Sequence, residues 1–341
     1  MRTSSPIGLL LDVDAPVAST ETRTVPEGII DVLVRLARRG VPVGFNTGRS
    51  TDFLLHNLIA PLRDAGLPDD APFHAICEKG AVWFPFSAVP SGDLPDVTVD
   101  GTAPDWLRTD PDMAIDADTR DAIWALNDER AGDLQFTDRT KLAMVSLEKT
   151  VGADQTEYER VRDDVAAGVE DLLAERGLAE EVRVAPSVIS VDVEHRSSGK
   201  DLGVERCFDL LAEAGTPVPE RWLTAGDSRS DYAMADRLHE RGLAVEHMDV
   251  RPADGVPEKP YGVVTAAILA ERGIGDADDV HERVGASLLA WVLASLDGDG
   301  DALREAGVVL PDGQERIHYC GLGNLGDLLL HRRTRPAFHS G

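Results

Sequence analysis

The apolar run Ile7-Gly8-Leu9-Leu10-Leu11 stops at Asp12-Val13-Asp14. The run reads as a buried strand, and residues two apart in an extended segment point the same way. The strand therefore delivers two carboxylates side by side. Carboxylates that close repel each other unless a cation lies between them or one holds a proton. The pair points to a site in which one Asp attacks and the other handles protons, with a divalent metal alongside. Taken alone, the pair is better read as a strand-ending turn with solvated acids.

The next stretch of chain restricts the fold. After a strand over 6–13, Ile29, Ile30, Leu33 and Leu36 recur at helical spacing, with Pro26 suited to the first turn and Gly40 at the end. A strand over 41–46, a helix near 50–65 and a strand over 73–77 come next. Strands alternating with helices predict an α/β chain with a parallel sheet and right-handed crossovers. Ligands of such sheets bind at the carboxyl ends of the strands.

Three further segments lie at such ends. Phe45-Asn46-Thr47-Gly48-Arg49-Ser50 offers a hydroxyl and backbone N–H groups, with a helix N-terminus behind them, to an anion. Ser198-Gly199-Lys200-Asp201-Leu202-Gly203 opens an amphipathic helix with a lysine. Lysine is scarce here: Lys79, Lys141, Lys149, Lys200 and Lys259 stand among 34 basic residues. A lysine kept where arginine is preferred marks a need for a compact ammonium. Leu223-Thr224-Ala225-Gly226-Asp227-Ser228-Arg229-Ser230-Asp231 adds two carboxylates suited to a hard cation.

In this order, Asp-x-Asp, Thr-Gly-Arg, Lys and Gly-Asp-Ser-x-x-Asp resemble the haloacid dehalogenase superfamily of phosphotransferases. Cys77-Glu78-Lys79-Gly80-Ala81 looks like the Glu-Asn-Gly-Ala stretch of its sugar-phosphatase branch, with Lys79 in place of Asn. That branch includes phosphatases for trehalose-, sucrose- and mannosylglycerate-type phosphates. The resemblance covers roughly the first 270 residues. It implies a Rossmannoid parallel-sheet core with an α+β cap and, here, a C-terminal extension. The core would be 1–81 and 187–273, the cap 82–186, and a helical extension 274–341.

The resemblance also implies roles. Asp12 would be the nucleophile that forms an aspartyl-phosphate. Asp14 would be the general acid, then the base that activates water. Thr47, Gly48 and Arg49 would hold the phosphoryl oxygens, and Lys200 would neutralise charge there. Mg²⁺ would be held by Asp12, the backbone carbonyl of Asp14 and Asp227, with Asp231 a further ligand or the orienter of a metal-bound water. Arg139 and Lys141, around an expected strand over 140–147, are candidates for the sugar or a second anion, and Ser187 to Ser190 for a further contact. The implied activity is hydrolysis of a small sugar phosphate. The chemistry is coherent on its own terms, because phosphoryl transfer needs positioning and charge neutralisation above all.

There are departures. Ala15-Pro16 stands where Gly-Thr is usual, Ser230 where Asn is usual, and Asp201 where Gly is common. Pro16 lacks an N–H, and Ala15 reaches positive φ less readily than Gly. The same acids would also serve a phosphomutase that shields its aspartyl-phosphate from water. Ala15-Pro16 and the long tail suit a sugar-phosphate-binding regulator without turnover.

The net charge of −27 over 341 residues excludes nucleic acid and anionic membrane as natural partners. Acid excess with few lysines matches adaptation to concentrated KCl. Cys77, Cys207 and Cys320 are unpaired in spacing, and the nine His show no metal-ligand pattern. With no signal peptide and no spanning segment, the expectation is a cytoplasmic protein. The acidic turn from Asp297 to Asp301 reads as a solvated linker. Gly321-Leu322-Gly323-Asn324-Leu325-Gly326 matches a dinucleotide fingerprint in form, without room for its βαβ unit.

Overall fold

A computed structural model describes residues 5–297 and two short strands, β13 (Val308–Val309) and β14 (Glu315–Arg316), which pair antiparallel. The acidic turn from 298 onward, the glycine run at 321–326 and Cys320 lie outside the described residues.

The large sheet contains β1 (Gly8–Leu11), β2 (Val43–Asn46), β3 (Phe73–Cys77), β4 (Val82–Pro85), β5 (Arg108–Thr109), β10 (Arg221–Gly226), β11 (Ala244–Asp249) and β12 (Gly262–Val264). Its order is β12-β11-β10-β1-β2-β3-β4-β5. The first six run parallel, β4 lies antiparallel to β3, and β5 lies antiparallel to β4. β1 sits at the centre, so all four of its residues are buried. Leu9 and Leu11 face the cluster under α1 (Glu27–Arg38) and α9 (Glu282–Asp297). Leu10 faces the opposite cluster under α6 (Lys200–Glu213) and α7 (Tyr232–Glu240). Gly8 makes room for the Trp222 ring, which would lie 2.6 Å from a Cβ there.

A second, antiparallel sheet has the order β6-β7-β9-β8. Its strands are β6 (Gln135–Thr137), β7 (Val145–Lys149), β8 (Val182–Pro186) and β9 (Ser190–His195). α4 (Ala117–Ala131) and α5 (Gln155–Glu175) supply Ile123, Val161, Val165 and Val169 to its core with Leu147 and Val191. The expected boundaries do not follow the sheets. Val82–Pro85 and Arg108–Thr109 belong to the large sheet, and Ser190–His195 to the small one. We propose the cap as the unit built on the small sheet.

Several elements differ from expectation. α4 was not anticipated, because it buries Thr119, Ile123, Asn127 and Ala131, one residue per turn and two of them polar. That stripe is too thin to show as periodicity. The sequence over 261–272 reads as a closing helix, but it does not form one helix. Its Gly262–Val264 closes the sheet edge as β12, and α8 (Ala266–Ala270) comes after it. β7 starts at Val145 rather than Thr140. The expected helix at 50–65 forms as α2 (Thr51–Leu54), a π-helical turn (Leu55–Ile59) and α3 (Ala60–Asp64). No helix among the described residues is long and apolar enough to cross a membrane.

Candidate active site

The carboxyl ends of β1, β2 and β10 converge. The Asp12 N–H donates to Ala225 O at 2.8 Å, which extends the β1–β10 ladder to the nucleophile candidate. Lys200, at the first position of α6, places Nζ 2.8 Å from Asp12 Oδ1 and 2.8 Å from Asp231 Oδ1. It also donates to Asn46 O at 2.6 Å, and Asn46 Nδ2 returns a bond to Lys200 O at 2.8 Å. This clasp needs α6 close to β2. A Cβ on Gly203 would lie 2.3 Å from the Asn46 amide, so only glycine allows it. Asn46 is a positioning partner that sequence reasoning missed; the glycine one turn after Lys200 was its signal.

Asp231 is fully buried, and its Oδ2 accepts from Ser228 Oγ at 2.7 Å and Ser228 N at 3.0 Å. Oxygens of Asp12, Asp227 and Asp231 lie within 4.8 Å of one another. Burial pushes Asp12 up to about 8, against the pull of Lys200, and Asp231 and Asp14 add to the rise. Burial works against Asp231 as well, but Lys200 and Ser228 hold its carboxyl below the ordinary range. Burial disfavours the Lys200 charge, and the two carboxylates more than restore it. One ammonium therefore does not neutralise the group. A set of oxygen donors short of positive charge fits a hard divalent cation. Asp227 is the most open of the three, with Arg251 Nε 3.4 Å from its Oδ2.

Asp14 lies apart from that cluster. Its carboxylate takes Arg49 Nε at 2.9 Å and Nη2 at 2.8 Å. Its side chain is thus not with the three metal candidates. Ala15 adopts φ +75. The alanine takes the conformation usually left to glycine, at a cost of roughly 1–2 kcal/mol.

Thr47 is fully buried, and its hydroxyl accepts from Arg49 N at 3.1 Å. Ser50 caps α2 by accepting from Phe53 N at 3.2 Å. The cap rides on this loop. Lys141 Nζ donates to Gly48 O at 2.6 Å, and Thr140 Oγ1 to Ser50 Oγ at 2.7 Å. Glu78, fully buried at φ +49, accepts from the backbone N–H groups of Leu142, Ala143 and Met144 at 2.8, 2.9 and 3.0 Å. Lys79 spans to cap residue Glu194 Oε2 at 2.6 Å. These two residues, within the Glu-Asn-Gly-Ala-like stretch, are the core-to-cap joint.

Between cap and core lies a cleft of about 200 Å³, lined by Arg23, Arg49, Phe53, Asn57, Phe136 and Glu148 among others. The Arg49 guanidinium lies 4.8 Å from the Phe53 ring centroid. A larger cavity of about 380 Å³ lies at the amino ends of the strands, near Gly40 and Pro72, far from the acids. Of the expected cap contacts, Lys141 reaches the site. Arg139 instead pairs with Asp100 at 2.8 Å and covers Trp124. Ser187 and Ser190 form the β8–β9 turn and bond each other at 2.9 Å, so the chain does not return to the core there. Asp52, His56 and Asp96 form a further group on the flank, with His56 and Asp96 exposed. Cys77 and Cys207 are buried and free, as small core residues should be.

No protein-family model and no curated protein matches this sequence. Solved structures do. A haloacid dehalogenase-like hydrolase from Bacteroides thetaiotaomicron aligns with a TM-score of 0.50 at 12% identity, over 76% of this chain and 93% of that one. A trehalose-6-phosphate phosphatase from Aspergillus fumigatus gives 0.46 at 16% identity, over 85% and 93%. The sucrose-phosphatase of a Synechocystis species, solved with sucrose and phosphate, gives 0.41 at 16% identity, over 84% and 97%. At such identities the first likeness speaks to fold, and the fold of this chain is that of the haloacid dehalogenase-like hydrolases.

Proposed function

We propose that the chain is a Mg²⁺-dependent phosphomonoester hydrolase that acts on a small sugar phosphate through an aspartyl-phosphate on Asp12. The observation that carries this reading is the convergence of Asp12, its Lys200 partner and two further acids at the carboxyl ends of the central strands, facing the Thr47–Gly48 loop under a cap. The Asp12 carboxylate would attack phosphorus while the bond to the leaving oxygen breaks. Asp14 would give that oxygen its proton, then take one from water as the water attacks the phosphorus of the acyl phosphate. Phosphate leaves and Asp12 is restored. Lys200 offsets charge gathered on Asp12 and the phosphoryl group. A cation held by Asp12, Asp227 and Asp231 would neutralise more of that charge.

Arg49 has a part in substrate entry. It now occupies both oxygens of Asp14. An arriving phosphoryl group draws the guanidinium, and Asp14 is left to face the leaving oxygen. The cleft beside it combines two aromatic faces with carboxylates, hydroxyls and the Asn57 amide, a lining suited to a sugar. The positive φ of Ala15 favours catalysis over binding alone, because the turn keeps the shape that Gly would give it. The test is phosphate release from a panel of sugar phosphates and one aryl phosphate, with and without Mg²⁺ in high KCl, beside Asp12→Asn. Release that needs both Mg²⁺ and Asp12 supports the reading. Isomerised product without phosphate indicates a mutase, and binding without turnover a regulator.

A further inference from the structure

Two departures in the sequence meet in the structure: Ala15-Pro16 and the segment past residue 273. The turn after Asp14 is closed by Ala15 N–H to Ala18 O at 3.0 Å and Ala18 N–H to Val13 O at 2.7 Å. Val13, Ala15, Val17 and Ala18 are all fully buried. Ala15 holds φ +75, which an L side chain keeps only where its surroundings enforce it. The element that presses on the turn from outside is α9. A Cβ built on Gly285 would lie 1.8 Å from Pro16 O, 2.7 Å from its C and 3.2 Å from its Cα. Helix backbone and turn backbone are in direct contact, and Pro16, with φ fixed by its ring, makes a stiff partner.

The same helix start touches the other half of the site. The His281 N–H donates to Val250 O at 2.9 Å, one residue before Arg251, which pairs with Asp227. We infer that Gly285 is a positioning residue: through Pro16 it holds the strained Ala15 turn that aims Asp14. The extra helix thereby makes up for the glycine that the turn lacks. This rests on the reading of Asp12 and Asp14 as the reacting pair.

The test is Gly285→Ala in the full chain. Alanine is the better helix former, so at an unconstrained helical position it raises the melting temperature. Here a contact of 1.8 Å must open to above 3.0 Å, so either the turn or α9 shifts. The expected result is a lower melting temperature and faster amide exchange at Ala15 and Ala18. With them, kcat falls by about a hundredfold while KM changes little, the cost of misplacing a reacting group by about an ångström. Adding Ala15→Gly relaxes the turn and restores most of kcat. A raised melting temperature with unchanged exchange and kcat overturns the inference and leaves Gly285 an ordinary helical glycine. If Gly285→Ala does not fold, the double variant carries the test: folding with turnover supports the contact, and a double variant as unfolded as the single overturns it. If the wild-type chain releases no phosphate, the proposed reaction fails, and exchange at 13–18 still decides the contact.

Discussion

Lys200→Met removes the ammonium that two buried carboxylates share. Each lies 2.8 Å from Nζ. Burial pushes Asp12 up to about 8, so at neutral pH without metal the charge at stake is the Asp231 carboxylate. At an effective dielectric constant of about 20, its attraction to Lys200 is about 6 kcal/mol before the cost of burial is subtracted. Removing one partner of a buried ion pair costs about 3–5 kcal/mol, because the remaining charge is left without compensation. Urea unfolding at neutral pH without Mg²⁺ should therefore show a loss of about 3–5 kcal/mol at an unchanged denaturant slope. The loss has a pH signature. Lys200 helps hold Asp231 below its ordinary value of 3.8, so the wild-type advantage is present above that value and fades as pH falls through the depressed titration. Mg²⁺ should return part of the lost stability, since it supplies positive charge to the same oxygens. A variant within about 1 kcal/mol of wild type in metal-free buffer would refute the claim that this cluster depends on Lys200.

Glu78→Gln should cost about 2–4 kcal/mol in urea unfolding, because an amide cannot accept from three cap N–H groups and turns a donor toward some of them. Amide exchange at 142–144 should rise with it, and an unchanged rate there would remove Glu78 from the joint. His74 is buried with neither ring nitrogen partnered, and burial lowers it from 6.5 to about 4. The unfolded chain then takes the proton first, so stability falls as pH drops from 6.5 toward 4, by up to about 3 kcal/mol from this group. In His74→Leu that part of the acid limb should be absent; an identical pH profile would count against it. Lys141→Ala should raise KM for a preferred sugar phosphate, whereas Arg139→Ala, engaged with Asp100, should leave kinetics unchanged. Equal effects of the two would mean that the cap docks differently.

The core was legible because its information is local. An apolar run ending in acids, a threonine–glycine turn, a lone lysine opening a helix and a Gly-Asp turn each announce a strand end. Asp12, Asp227 and Asp231 do gather at one place, with Lys200 among them. The parts that were not legible depend on tertiary contact. Asn46 acquires its role only when Gly203 brings α6 against β2. Arg139 and Lys141 differ by two positions and look alike in sequence. The Glu78 carboxylate fixes the 142–144 turn, and that turn sends Lys141 inward. Ala15 seemed a poor residue for its turn because propensity is a local quantity, whereas α9 contacts that turn from far along the chain.

The central claim is that the Asp12 carboxylate is the nucleophile toward phosphorus. The most direct measurement is acid quench during steady turnover, then borohydride capture and peptide mapping of the segment that carries Asp12. The account predicts a phosphoryl adduct on Asp12 that appears only with Mg²⁺ and substrate and is absent in Asp12→Asn. Sustained phosphate release with the adduct on another residue, or unimpaired release by Asp12→Asn, would contradict it.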